Sequence, residues 1–181
     1  MTPGYRPAGT AAAIGILISI SLPALADDGP SECLPGGGGR LEVQISGEFE
    51  AAVDWGNDGT RCDGGPRPDG DALRLMFSRD DDGLLMVLGI TGLVRGATRE
   101  SLPANLTVVR QGLGLFYGSL GADTCIVTVE ENLAVEDQPD TYRVSGHGRC
   151  EAPIEAIARD GEILIAPFAF TGRAWWPEED D

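Results

Sequence analysis

From Leu41 to Trp55 the chain alternates without a slip. Leu41, Val43, Ile45, Gly47, Phe49, Ala51, Val53 and Trp55 take one set of positions, and Glu42, Gln44, Ser46, Glu48, Glu50 and Asp54 take the other. A period of two marks a β-strand with one face on a core and one in water. Unbroken, this strand would run roughly 46–50 Å at ~3.3 Å per residue. A compact domain of this length is only about 40 Å across. The strand is therefore expected to bend, and Gly47 is the expected place. Because the phase does not slip there, a bend is favoured over a one-residue bulge.

Similar segments recur to Trp175, separated by Gly-rich turns. Asp-Gly occurs at Asp28-Gly29, Asp58-Gly59, Asp63-Gly64, Asp69-Gly70, Asp82-Gly83 and Asp160-Gly161, and it is a frequent tight-turn pair because glycine accepts positive φ. Residues 56–71 are polar throughout and predict a long loop. Strands are then predicted around Leu73–Phe77, Leu84–Ile90, Leu106–Val109, Leu113–Tyr117, Cys125–Glu130, Thr141–Cys150, Ile154–Ala158 and Ile163–Ile165. After Pro167 the apolar phase moves to Phe168 and Phe170, so Pro167 is expected at an edge or a bulge. No segment carries a helical period. About eight or nine short strands predict an all-β fold. An antiparallel β-sandwich is the first reading and a small closed β-barrel the alternative.

Cysteine placement sharpens one pair of strands. If Cys125 faces Cys150, then Val127 faces Gly148, Val129 faces Gly146, and the turn centres on Asp137-Gln138 within a polar stretch. One register thus satisfies core phase, turn composition and sulfur pairing, and predicts a Cys125–Cys150 disulfide. Cys33–Cys62 follows as the default second bridge, although four cysteines allow three connectivities.

The start of the chain supplies an address. Ala11–Ile20 is an apolar run, Pro23 breaks it, and Ala24-Leu25-Ala26 offers the small-residue pattern of a cleavage site before Asp27-Asp28. This order predicts a secretory signal over 1–26, and a secreted or periplasmic location that suits disulfides. The run is shorter than the roughly 20 residues of a spanning helix, so no membrane attachment is expected after cleavage. Residues 27–39 then form a flexible N-terminal arm, 40–176 a single β domain and 177–181 an acidic tail.

Charge excludes some partners. The chain has 13 Lys+Arg, all of them Arg, against 29 Asp+Glu, and a net charge of −16. Such a surface repels phosphate backbones and anionic lipid, so nucleic acid is not an expected partner.

The search for chemistry yields little. His147, the only histidine, lies between Gly146 and Gly148 on the face opposite Cys150, with Arg143, Ser145 and Arg149. Across from that face are expected Thr128, Glu130 and Asn132, which makes a solvated charge ladder the simpler reading and a general base the sharper one. Asp58, Asp63, Asp69 and Asp71 are weak calcium candidates in a Gly-rich loop, without helix–loop–helix spacing; no other cofactor is expected. Carboxylate pairs such as Glu48 with Glu50, or Glu130 with Glu131, say little among so many acids. Asn105-Leu106-Thr107 is an N-glycosylation sequon, relevant to a eukaryotic source. Trp175-Trp176 is the remaining signal. One of the two faces solvent if the other closes the core, and an exposed indole can anchor a protein or saccharide partner. The expectation is a non-catalytic binding or structural module. The alternatives are a barrel carrying an apolar ligand and a secreted hydrolase with an acidic site.

Overall fold

The computed structural model describes Met1 and residues 32–68, 72–119 and 124–177. The predicted signal segment from residue 2 onward and tail residues 178–181 lie outside the described residues. The domain is all-β and antiparallel, as the alternation predicts. Its strands are β1 (Arg40–Gly47), β2 (Ala51–Trp55), β3 (Arg61–Pro66), β4 (Ala72–Arg79), β5 (Leu84–Thr91), β6 (Arg99–Arg110), β7 (Leu115–Gly118), β8 (Cys125–Ala134), β9 (Thr141–Cys150), β10 (Ile154–Ala156), β11 (Glu162–Ile165) and β12 (Phe168–Trp175).

From β3 to β12 the chain meanders, each strand pairing with the next or continuing it. The β6 strand carries β7 and β8 in succession along one edge. Likewise β1 carries β11 and then β12, with the register moving by one residue between Ile165 and Phe168. The slip falls at Pro167, where it was expected. A proline has no N–H for the ladder, and an extra residue accommodates it.

The stretch from Leu41 to Trp55 folds differently from the expectation. It does not run on as one bent strand. It reverses through residues 48–50, and β2 pairs back on β1, with Leu41 opposite Trp55 and Val43 opposite Val53. Gly47, at φ +112°, opens the turn. The reason for the misreading is one of parity. Partners in this hairpin sum to an even number, so odd residues face the core in both arms. A hairpin of this register and a single long strand give the same pattern.

The second difference is β3, which lies inside the predicted loop 56–71. Beyond the point where β1 ends, β3 runs beside the second half of β12. A Cβ on Gly64 would stand 2.8 Å from the Arg173 carbonyl oxygen, and one on Gly65 would stand 2.9 Å from that of Trp175. Arg173 closes the seam by donating to the Cys62 carbonyl at 3.1 Å. The sheet is thus rolled, so that β3 and β4 face β12 across one core. Phe77 of β4 meets Phe170 of β12 edge-on at 6.5 Å. Leu41, Leu73, Leu75, Leu88, Ile90, Leu106, Val127, Val144 and Ile163 are fully buried in the same core.

Both predicted disulfides are present, Cys33–Cys62 and Cys125–Cys150. In the second hairpin Cys125 opposes Cys150, Val127 opposes Gly148 and Val129 opposes Gly146, in the predicted register. The first bridge ties down the last part of the segment read as a flexible arm. Cys33 and Leu34 are buried, and Asn57 Oδ1 accepts from the Leu34 and Gly39 amides at 2.9 and 3.0 Å. Two disulfides suit an oxidising environment. Among the described residues no helix is long and apolar enough to cross a membrane.

Candidate functional site

The outer face of the rolled sheet carries a row that crosses several strands. Gly65 of β3 pairs with Arg74 of β4, Arg74 with Gly89 of β5, and Gly89 with Asn105 of β6. Paired residues on neighbouring strands share a face. Trp175 of β12 stands at the Gly65 end, where β3 runs beside β12. Two of the row's positions are glycines, which keeps the surface low on both sides of Arg74, with the Asn105 amide lying over Gly89. The result is an open depression of about 680 Å³, lined also by Asp63, Pro66, Arg67 and Val87.

Some of its side chains are open to an outside partner. Trp175 is 58% exposed, so the indole is the wall of the depression and takes no part in closing the core. The other tryptophan is the covered one: Trp176 is half-buried and meets the Tyr142 ring edge-on at 6.2 Å. The glycine at 89 lets the Asn105 side chain lie flat, since an added Cβ would collide with its amide oxygen. Neither the Arg74 guanidinium nor the Asn105 amide has a hydrogen-bond or ion-pair partner among the described residues. Asp63 Oδ1 accepts from the Gly64 amide at 2.9 Å, which fixes that carboxylate at the rim.

The charged face of the β8–β9 hairpin is arranged otherwise. His147 Nδ1 lies 3.3 Å from Glu130 Oε1, with both side chains exposed. Arg143 Nε and Ser145 Oγ both donate to Glu131 Oε2, at 3.2 and 3.1 Å, and Arg149 donates to Glu151 at 3.0 Å. A register shift between Val129 and Glu131 accompanies this set. It corrects the expected pairing: Ser145 faces Glu131, not Glu130, and Asn132 turns inward to 1% exposure while Leu133 turns out. A bulge adds one residue and reverses the faces beyond it. Inside, Asn132 Nδ2 donates to the Val94 and Ala97 carbonyls at 3.0 and 3.1 Å and pins their loop. His147 thus has a carboxylate neighbour, and the serine on its face, Ser145, is bonded to Glu131 and not to the imidazole.

A third polar cluster joins the β1–β2 turn to β7 and the β10–β11 turn. The buried Tyr117 hydroxyl donates to Glu48 Oε2 at 3.0 Å and accepts from Arg159 at 2.8 Å. Arg159 also pairs with Glu48 and lies over the Tyr117 ring, 5.4 Å from its centroid. The Arg159 hydrogen bond lowers the Glu48 carboxyl from its ordinary value, and burial raises the Tyr117 phenol. Each group is satisfied by the other two, so the cluster acts as a clasp between turns.

The calcium candidates do not assemble among the described residues. Asp58 forms a backbone bridge to Glu32 and Asp63 sits on the depression's rim. No group of three His, Cys, Asp or Glu gathers there. Asp69 and Asp71 lie outside the described residues.

Sequence reading singled out Trp175 but passed over Gly65, Arg74 and Gly89, and noted Asn105 only as a sequon. The row is assembled from five separate strands, and no segment of the chain contains two of its members. Comparison of the chain with family models, with curated proteins and with solved structures finds no match to any of them.

Proposed function

We propose that this protein is an exported, non-catalytic binding module whose ligand face is the depression beside Trp175. The observation that carries the reading is the contrast in polar pairing. The Glu48–Tyr117–Arg159 clasp and the His147 face satisfy their groups internally. The row from Trp175 to Asn105 leaves an exposed tryptophan, an exposed guanidinium and a half-buried amide without hydrogen-bond or ion-pair partners among the described residues, in one hollow. Convergent polar groups around an aromatic wall are the usual make-up of a binding site. A carrier of an internal apolar ligand is less well supported, because Phe77, Met86, Leu88 and Tyr117 already fill the interior. The leader-like start and the two disulfides support export.

The test is a parallel screen of the oxidised protein and its Gly89→Val variant against arrays of peptides and of oligosaccharides. Valine at 89 displaces the Asn105 amide and intrudes on the hollow. The expected result is a ligand held by the parent protein and lost by the variant. Turnover of a hydrolase substrate that disappears in His147→Ala or Glu48→Gln would overturn the reading.

A further inference from the structure

Resting on that reading, we propose that the depression beside Trp175 binds a saccharide, with its units laid along the row Trp175–Gly65–Arg74–Gly89–Asn105. Three features select this ligand class. The first is direction. The row runs across the strands, on the outer face of the sheet, and four of its members are consecutive ladder partners. A peptide that binds a sheet through its backbone adds to a free strand edge and lies parallel to the strands. A ligand in this hollow lies across them and finds side chains, not backbone ladder groups.

The second feature is chemical pairing. A pyranose has an apolar C–H face and a rim of hydroxyls that both donate and accept. The hollow offers an exposed indole for the face. For the rim it offers a donor-only guanidinium at Arg74, an amide at Asn105 that does both, and an acceptor carboxylate at Asp63. A mixed set of this kind suits hydroxyls better than a purely anionic or purely apolar ligand. The third feature is relief. Gly65 and Gly89 place no side chain of their own on either side of Arg74, and the Asn105 amide lies over Gly89, so the guanidinium and the amide sit side by side and a ring can rest against both. With strands ~4.8 Å apart, the four laddered strands span roughly 14 Å and Trp175 extends the row beyond Gly65, which accommodates a short oligosaccharide.

The experiment uses the oxidised full domain and a printed array of neutral and uronate-bearing oligosaccharides. The best hexasaccharide is then titrated by tryptophan fluorescence and calorimetry. Binding is expected to weaken at least about tenfold in Trp175→Ala, to weaken in Arg74→Ala and Gly89→Val, and to survive in Trp175→Phe. His147→Ala keeps the parent affinity. All five variants should keep the parent melting temperature within a few degrees, because these residues are exposed or, for Gly89, border a movable side chain. No saccharide bound, or saccharide bound equally by Trp175→Ala, overturns the proposal. A peptide that binds the parent protein and not Gly89→Val, with no saccharide bound, overturns the saccharide assignment and leaves the binding-module reading standing.

Discussion

Two outer faces of this domain are built from similar residues and end in opposite states. On the β8–β9 hairpin, Arg143 and His147 each reach a carboxylate on the facing strand, and Arg149 reaches Glu151 just past the end of β9. On the β3–β6 face, Arg74 has a glycine on each side in the ladder and meets no carboxylate among the described residues. The difference is one of cross-strand neighbours. A charged residue opposite another side chain is screened and paired, with little net energy at an exposed site. A charged residue between two glycines keeps its hydrogen-bonding capacity, and the surface beside it is hollow. The same two arrangements predict opposite responses to substitution. Changes at the buried groups of the β8–β9 hairpin should lower stability and spare ligand affinity, changes on its exposed charged face should move neither by much, and changes in the row should lower affinity and spare stability.

The largest effect should come from breaking the hairpin's covalent tie. Replacing Cys125 and Cys150 together by alanine removes a bridge of sequence separation 25. The chain-entropy model predicts a loss of roughly 3–4 kcal/mol, read as a lower denaturation midpoint. Affinity of the folded fraction should not change. A mutant that keeps its stability but loses affinity would erase the distinction between the faces.

Next is Asn132. Its amide holds the Val94 and Ala97 carbonyls from a buried position. Asn132→Ala should cost about 1–3 kcal/mol by equilibrium unfolding, because the partners lose their donor and a small cavity remains.

The clasp gives a pH signature. The Arg159 hydrogen bond holds the folded Glu48 carboxyl below its ordinary value of 4.5. In the unfolded chain that carboxyl takes up its proton first as pH falls. The clasp's contribution is therefore complete above the ordinary value and is lost as pH drops from there through the lower folded value. Denaturation midpoints measured from pH 6 down to 3 should fall less steeply in Glu48→Gln than in the parent. Equal slopes would show that the contact has no energetic role.

The smallest effect is expected at His147. It is exposed, and its partner Glu130 is exposed too. His147→Ala should change stability by less than about 0.5 kcal/mol. A larger change would mark that face as more than a solvated ladder.

What the sequence revealed of this architecture depended on how local each signal was. The Cys125–Cys150 hairpin was legible because the sulfur pair, the apolar phase and the turn composition all lie within one short segment. The reading failed after Val129, because a bulge leaves no mark in composition yet turns Asn132 in and Leu133 out. The β1–β2 hairpin was hidden by parity. The β3 strand was hidden because Gly64 and Gly65 replace apolar side chains where the backbones of β3 and β12 approach closely. At the candidate site only Trp175 stood out, since a paired tryptophan is rare in any chain. Arg74 and Gly89 are ordinary residues in their own strands, and only the registers bring them into one row.

The most direct test of the binding face is a two-dimensional NMR titration of the oxidised domain with the saccharide selected on the array. The account predicts saturable shifts at the Trp175 indole N–H, the Arg74 side chain and the Asn105 amide, with the His147 and Arg149 signals unmoved. Shifts centred on His147 and Glu130, with Trp175 unmoved, would contradict it.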